Sequence, residues 1–285
     1  MSIWETTSLL DLAVPLSSVT AWESGDARIV RVSPDGAIAL ASPADSRDGG
    51  LRMESSASVA FDPERHLHVG QVGGVPVFAA IGTAAGQVSL REALVQLSGV
   101  DVELAMRASA MVQFHAANQF CPQCGRPTRV GDAGHARWCE ACQTTHFPRT
   151  DPAIIVAVTD EHNRLLLGHH TGWEDVRYSV FAGFVEAGES LEQAVHREVA
   201  EEVGLTLATV TYAGSQPWPM PRSLMAGFTA TALPGPARPD GAEISAARWF
   251  STDELREAVS RGDVVLPLRA SIAYRLVSRW YGSAL

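Results

Sequence analysis

The chain has 285 residues, 46% of them hydrophobic and 19% charged, the composition of an ordinary globular protein with enough apolar material for a substantial core. Its formal charge of -10 excludes broad, sequence-independent nucleic-acid binding, which depends on basic patches that release counterions from phosphate. The start of the chain, Met1-Ser2-Ile3-Trp4-Glu5, lacks a basic n-region, and nowhere do about eighteen apolar residues run uninterrupted, so a soluble, cytoplasmic protein with no membrane partner is expected.

Residues 1 to about 90 alternate short apolar runs, such as Ala37–Leu40 and Val75–Ala80, with Gly, Ser and Asp punctuation, and predict a small mixed domain containing strands. From Ser89 to Asn118 the period turns helical, through Leu90, Leu94, Leu97, Val102, Leu104, Val112 and Phe114, with Gly99 as an interruption. Beyond a cysteine cluster, Ala153–Val158 reads as a strand whose hairpin partner, Arg164–Gly168, follows across Asp160–Asn163. Ser190–Val203 reads as one helix, strands recur near 208–214, 224–232 and 244–250, and helices follow near 252–261 and 269–281. Pro234–Gly241 is expected to be a loop.

All four cysteines fall between positions 121 and 142, unlike a disulfide framework spread through a secreted domain. Cys121-Pro122-Gln123-Cys124 and Cys139-Glu140-Ala141-Cys142 are two CxxC pairs with fourteen residues between them. That spacing lets two knuckle turns present four thiolates tetrahedrally, the closed geometry of one structural zinc, with no open position for a catalytic water. Four incidental thiols or a redox pair are the bland alternatives. Arg126, Arg129 and Arg137 within the same stretch form a modest basic set that could touch RNA.

The densest chemistry lies in Gly183-Phe184-Val185-Glu186-Ala187-Gly188-Glu189, followed after seven residues by Arg197-Glu198-Val199-Ala200-Glu201-Glu202-Val203-Gly204-Leu205. On a helix, Glu198, Glu201 and Glu202 crowd one face, where like charges repel unless cations neutralise them. Hard carboxylate oxygens suit Mg²⁺ or Mn²⁺, which can also bridge substrate phosphates. Gly204 suits the helix C-terminus, Ser190 is an N-cap candidate, and Gly183 and Gly188 are expected to permit a tight loop beforehand. A solvated acidic helix face would explain the glutamates alone, but not the glycines and Arg197 around them.

These residues fill every fixed position of the pattern G-x5-E-x7-R-E-U-x-E-E-x-G-U, with U aliphatic, and the chain resembles the Nudix hydrolases. A second segment, Ser215-Gln216-Pro217-Trp218-Pro219-Met220-Pro221-Arg222-Ser223, is similar to the motif of the NADH pyrophosphatase (NAD-capped RNA hydrolase) branch, with Met220 where that branch has Phe. Physically, its three prolines hold the chain extended and Trp218 offers a flat surface, although a Pro-rich turn with a core Trp has the same composition. The resemblance implies an α+β class with a Nudix α/β/α sandwich, a zinc ribbon and a smaller mixed N-terminal domain. The implied boundaries are a Nudix-like, substrate-associated domain over 1–118, the zinc ribbon over 119–147 and the catalytic domain over 148–285.

It also implies site residues. Glu198, Glu202, Glu243 and the backbone carbonyl of Ala182 would hold two or three Mg²⁺ or Mn²⁺ ions. Glu198, Glu201 and Glu202 are the catalytic carboxylates, with Glu201 or Glu202 as base. Gly183, Glu189, Arg197 and Gly204 are structural, Arg197 as the partner of Glu189. Gln216, Pro217, Trp218, Pro219, Met220, Pro221, Arg222 and Ser223 would bind substrate, with Phe147 (where Tyr is common), Phe184, Arg91 and Ala273. The implied activity is metal-dependent hydrolysis of the diphosphate bond of NADH or NAD and removal of NAD caps from RNA, by a homodimer. A Nudix hydrolase of ADP-ribose or dinucleoside polyphosphates, and a non-catalytic zinc-ribbon protein that senses nucleotides, are the alternatives.

Overall fold

The computed structural model describes residues 7–12, 18–23, 25–42, 50–173 and 176–282. The chain divides into two compact units, Met1–Thr150 with Trp218–Arg222, and Asp151–Pro217 with Ser223–Leu285.

In the first unit, helix α1 (Ser18–Glu23) precedes strands β1 (Arg28–Val32), β2 (Ile38–Ala39), β3 (Met53–Ser55), β4 (His66–Val72), β5 (Val75–Ile81) and β6 (Gln87–Val88). They form one sheet in the order β4-β5-β1-β2-β6, with β3 also on β1. The expected run 37–40 shrinks to the two residues of β2, whereas 75–80 is β5. Helix α2 (Leu90–Gln96) starts at a capping box, in which the Ser89 side chain accepts from Glu92 N and Glu92 accepts from Ser89 N. Gly99, at φ +54°, separates it from the largely buried α3 (Val100–Ala117).

Strands β7 (Arg129–Gly131), β8 (Ala136–Cys139) and β9 (Thr144–His146) make a small antiparallel sheet around the cysteines. Here one expectation is corrected: Arg137 is not part of a basic surface. Its Nε donates to Thr128 Oγ1 (2.6 Å), its Nη2 to Thr128 O (2.8 Å), and its Nη1 lies 3.0 Å from His115 Nδ1, all in the interior. Only Arg126 and Arg129 of that set are exposed.

The second unit contains β10 (Asp151–Thr159), β11 (Leu165–His170), β12 (Phe181–Phe184), α4 (Leu191–Val203), β13 (Leu207–Trp218), β14 (Ser223–Ala232), β15 (Ile244–Phe250), α5 (Thr252–Arg261) and α6 (Ile272–Tyr281). The sheet order is β13-β14-β10-β11-β15 with β12 also on β10; β10 runs parallel to β14 and antiparallel to β11 and β12. Because side chains alternate along a strand, Ile154, Val156 and Val158 pack with Val195, Val199 and Val203 of α4, while Ile155 and Ala157 pack with Leu255, Leu276 and Val277 of α5 and α6. Both sheet faces are covered, which explains why β10 reads as a continuous apolar run, and each of these Val, Ile and Leu side chains stabilises the fold by roughly 1.5–3 kcal/mol on burial. The result is an α/β/α sandwich.

Two boundaries differ from expectation. Helix α6 starts at Ile272 rather than near 269, because Ser271 is the N-cap and accepts from Tyr274 N. Strand β13 runs on through the Ser215–Trp218 segment.

Candidate active site

Helix α4 is delimited at both ends by its own sequence. The Ser190 side chain accepts from Gln193 N while Gln193 accepts from Ser190 N, and Gly204 closes the helix in the left-handed conformation at φ +67°. The three glutamates of its C-terminal half then meet different surroundings. Glu202 is 5% exposed and its Oε2 has no hydrogen-bond partner among the described residues. Glu198 is half-buried and Glu201 is exposed. Burial, and then the charges of Glu198, Glu243, Asp240 and Glu201, push the Glu202 carboxyl up to about 8. Burial also raises Glu198, against the opposing pull of Arg197.

Arg197 is the hub that holds this helix to the loop before it. Its Nε donates to Glu189 Oε1 (2.8 Å), Nη2 to Glu189 Oε2 and Phe184 O (2.9 Å each), and Nη1 to Glu198 Oε1 (2.9 Å) and Glu201 Oε2 (3.0 Å). All five N–H donors of the guanidinium are thus engaged by the protein itself. Glu189 also accepts from Glu186 N at 3.0 Å, and Gly188 turns the loop at φ +90°.

Gly183 requires a correction. It is not a turn residue but lies within β12, paired with Ile154. Its lack of a side chain matters for space, since a Cβ there would overlap the Glu198 carboxylate. Ala182, its exposed neighbour, pairs with Ile155 on the same strand. Glu243, also exposed, sits just before β15, where the Asp240 carboxylate accepts from the backbone N of Glu243 and Ile244. Sequence reasoning missed Asp240; its only signal was an Asp three residues before a Glu in a loop.

A buried carboxylate with an orphaned oxygen, within the electrostatic reach of Glu198, Glu243, Asp240 and Glu201, offers hard oxygen donors suited to a divalent cation. The cysteines fit a softer one. The four Sγ atoms lie within 4.8 Å of one another, the only group of three or more such ligand atoms that close among the described residues. Cys121 O accepts from Gly125 N (2.8 Å) in a knuckle turn, and no disulfide links the thiols. A zinc held by all four cysteines would be structural.

The remaining candidates separate into exposed and enclosed residues. Phe147 and Phe184 are 57% and 58% exposed, large aromatic surfaces open to solvent. In the first unit, the Arg91 guanidinium lies 5.7 Å from the centre of the Trp218 ring. There, Gln113 Nε2 donates to Pro219 O at 2.9 Å. A cavity of about 720 Å³ is walled in part by Arg91, Gln113, Pro219, Met220 and Pro221. Pro217 and Arg222 are exposed. By contrast, Gln216 is fully buried and donates to Ala270 O (2.8 Å), Ser223 is buried, and Ala273 is on the core-facing side of α6.

Comparison with known proteins points the same way. A family profile described as the NUDIX domain matches residues 149–268, and one described as the NADH pyrophosphatase zinc ribbon domain matches residues 116–147. The chain is 37% identical over 224 residues to a Vibrio cholerae protein named NAD-capped RNA hydrolase NudC, covering 78% of this chain and 83% of the relative. It is 38% identical over 207 residues to mouse NAD(P)H pyrophosphatase NUDT13, mitochondrial, covering 68% and 58%. A Mycobacterium bovis protein also named NAD-capped RNA hydrolase NudC is 42% identical over 188 residues, covering 62% and 60%. The matched segment therefore spans less than two thirds of the mouse and mycobacterial relatives.

Proposed function

Because the chain belongs to the Nudix hydrolase family, we propose that it hydrolyses the diphosphate linkage of NADH and NAD, releasing AMP with reduced or oxidised nicotinamide mononucleotide, and removes NAD caps from RNA 5′ ends. The observation that carries this proposal is the buried Glu202 carboxylate with an unpartnered oxygen, set among Glu198, Glu243 and Asp240. The names of the relatives support the choice of substrate.

On this reading Glu198, Glu202, Glu243 and the backbone of Ala182 hold Mg²⁺ or Mn²⁺. A divalent cation bound there supplies Lewis-acid charge against the diphosphate oxygens and makes a coordinated water more acidic. Arg197 fixes Glu198 and the Glu189 loop and leaves the substrate to others. Glu201, exposed and outside the buried group, takes the proton from the attacking water. In the second unit, Phe184 offers an exposed stacking surface for a nicotinamide ring. In the first, Phe147 offers another exposed aromatic surface, and Arg91 with Trp218–Pro221 shapes a pocket suited to substrate. The zinc ribbon over 119–147 is structural, the N-terminal domain over 1–118 assists substrate binding, and catalysis belongs to 148–285. A cytoplasmic homodimer completes the proposal; among the described residues, no helix is long and apolar enough to cross a membrane.

The test is hydrolysis of NADH, NAD, ADP-ribose and an NAD-capped RNA with Mg²⁺ or Mn²⁺, beside the Glu202→Gln variant. Cleavage of nicotinamide dinucleotides or the capped RNA, lost in the variant, supports the assignment. Cleavage of ADP-ribose alone would remove the substrate assignment and keep the chemistry.

A further inference from the structure

Glu243 joins the acidic cluster from outside α4, so its placement depends on tertiary contacts rather than on helical spacing. The ladder between β11 and β15 slips just before it: His169 pairs with Ala246 and His170 with Ile244, leaving Ser245 as the extra residue of a bulge. A one-residue slip reverses which face every following side chain takes, and bulges of this kind re-aim side chains beside active sites. The bulge is tied by Ser245 Oγ, which donates to His169 O at 3.1 Å.

Beyond the bulge, Thr171 fixes the new register twice. Its backbone N donates to Glu243 O at 2.9 Å, and its hydroxyl donates to Ala242 O at 2.9 Å. On the other side of the turn, Asp240 accepts from Glu243 N, so both backbone polar groups of Glu243 are held. The same turn is fastened to the end of α4, where Arg238 N donates to Val203 O (2.8 Å) and Asp240 N to Glu202 O (3.0 Å). Thr171 is itself exposed, so the fold does not need its hydroxyl to satisfy a buried group.

We infer that Thr171 is a positioning residue for cation binding: its hydroxyl locks the post-bulge turn that presents Glu243 to Glu202 and Glu198. The inference rests on the proposed role of Glu243 as a metal ligand. Groups that orient metal ligands without touching the metal typically change affinity by about 10–100-fold when removed.

The experiment uses full-length, zinc-loaded protein as wild type, Thr171→Val, Thr171→Ser and Glu243→Gln. Mn²⁺ binding is measured without substrate from the electron paramagnetic resonance signal of free Mn²⁺, and the Mn²⁺ dependence of NADH hydrolysis is measured beside it. Thr171→Val should weaken Mn²⁺ binding and raise the half-activating concentration by about tenfold. At saturating Mn²⁺ its kcat should stay within about twofold of wild type, and Thr171→Ser should restore affinity. If Thr171→Val binds Mn²⁺ like wild type while Glu243→Gln does not, the role of Thr171 is wrong. If Thr171→Ser is as weak as Thr171→Val, the hydroxyl is not the cause and the inference also fails. If Glu243→Gln binds Mn²⁺ normally, it is the ligand assignment of Glu243 that falls.

Discussion

Replacing Glu202 by Gln should reverse its effect on stability between acidic and alkaline pH. In the folded protein without added divalent cation, burial and then the surrounding acids raise the Glu202 carboxyl from 4.5 to about 8. The folded state therefore holds this proton more tightly than the unfolded chain. Its contribution is fully present below about 4.5, declines as pH rises, and is gone above about 8. The gap corresponds to roughly 4–5 kcal/mol between the two limits. Gln removes the titration but buries an amide whose N–H groups need partners, at a cost of about 1–3 kcal/mol. The variant should then be more stable than wild type by about 2 kcal/mol near pH 9 and less stable near pH 5. For a chain of this size that is roughly 4–8 °C in melting temperature at alkaline pH. Calorimetry on zinc-loaded protein without Mg²⁺ or Mn²⁺ reads both signs, and adding Mg²⁺ at alkaline pH should raise the wild-type midpoint more than that of the variant. Equal destabilisation at both pH values would refute the account of Glu202 as a carboxylate strained by burial and like charge.

Gly183→Ala should place a methyl group on the Glu198 carboxylate, displacing it, and lower kcat/KM for NADH by about 100-fold with little change in melting temperature; steady-state kinetics with Mn²⁺ titration checks this. Glu201→Gln should lower kcat by about 10²-fold or more while leaving the Mn²⁺ concentration for half-activation unchanged, since Glu201 lies outside the buried group. Cys139→Ser, at a fully buried position, should reduce the zinc content of the purified protein from about one ion per chain towards none and open β7–β9 to proteolysis, detected by elemental analysis and limited digestion.

The parts of the fold legible in the sequence are those governed by local signals. Helix α4 announces itself through Ser190, its apolar period and Gly204, and β10 and β11 through apolar runs around a polar turn. Strand β12 was not legible. Its four residues are too few for a period, and its existence depends on the distant pairing of Ile154 with Gly183. The same strand explains the misreading of Gly183, because glycine serves either an unusual φ or a close approach and composition cannot say which. Arg137 looked like surface charge because a sequence records a charge but not the His115 and Thr128 side chains that enclose it. The acidic character of the site was readable from helical spacing, whereas Asp240 and Thr171 gain their meaning only when β11, β15 and the end of α4 converge.

The saturated guanidinium of Arg197 has a bearing on how the site is governed. Its five donors are committed to four acceptor residues of the chain, so this cation is not at liberty to greet an anionic guest. The groups that act most strongly on Glu202 are acids, and a diphosphate carries the same sign. On the proposed function, a divalent cation held by Glu198, Glu202 and Glu243 would offset that repulsion. On the same proposal the protein would act as a coincidence detector: it would supply a fixed negative mould, the surroundings would supply the positive charge, and turnover would track the free divalent-ion level as well as the dinucleotide. Sequestering that ion would silence the site reversibly while the Glu189–Arg197–Glu198 lattice stays in place.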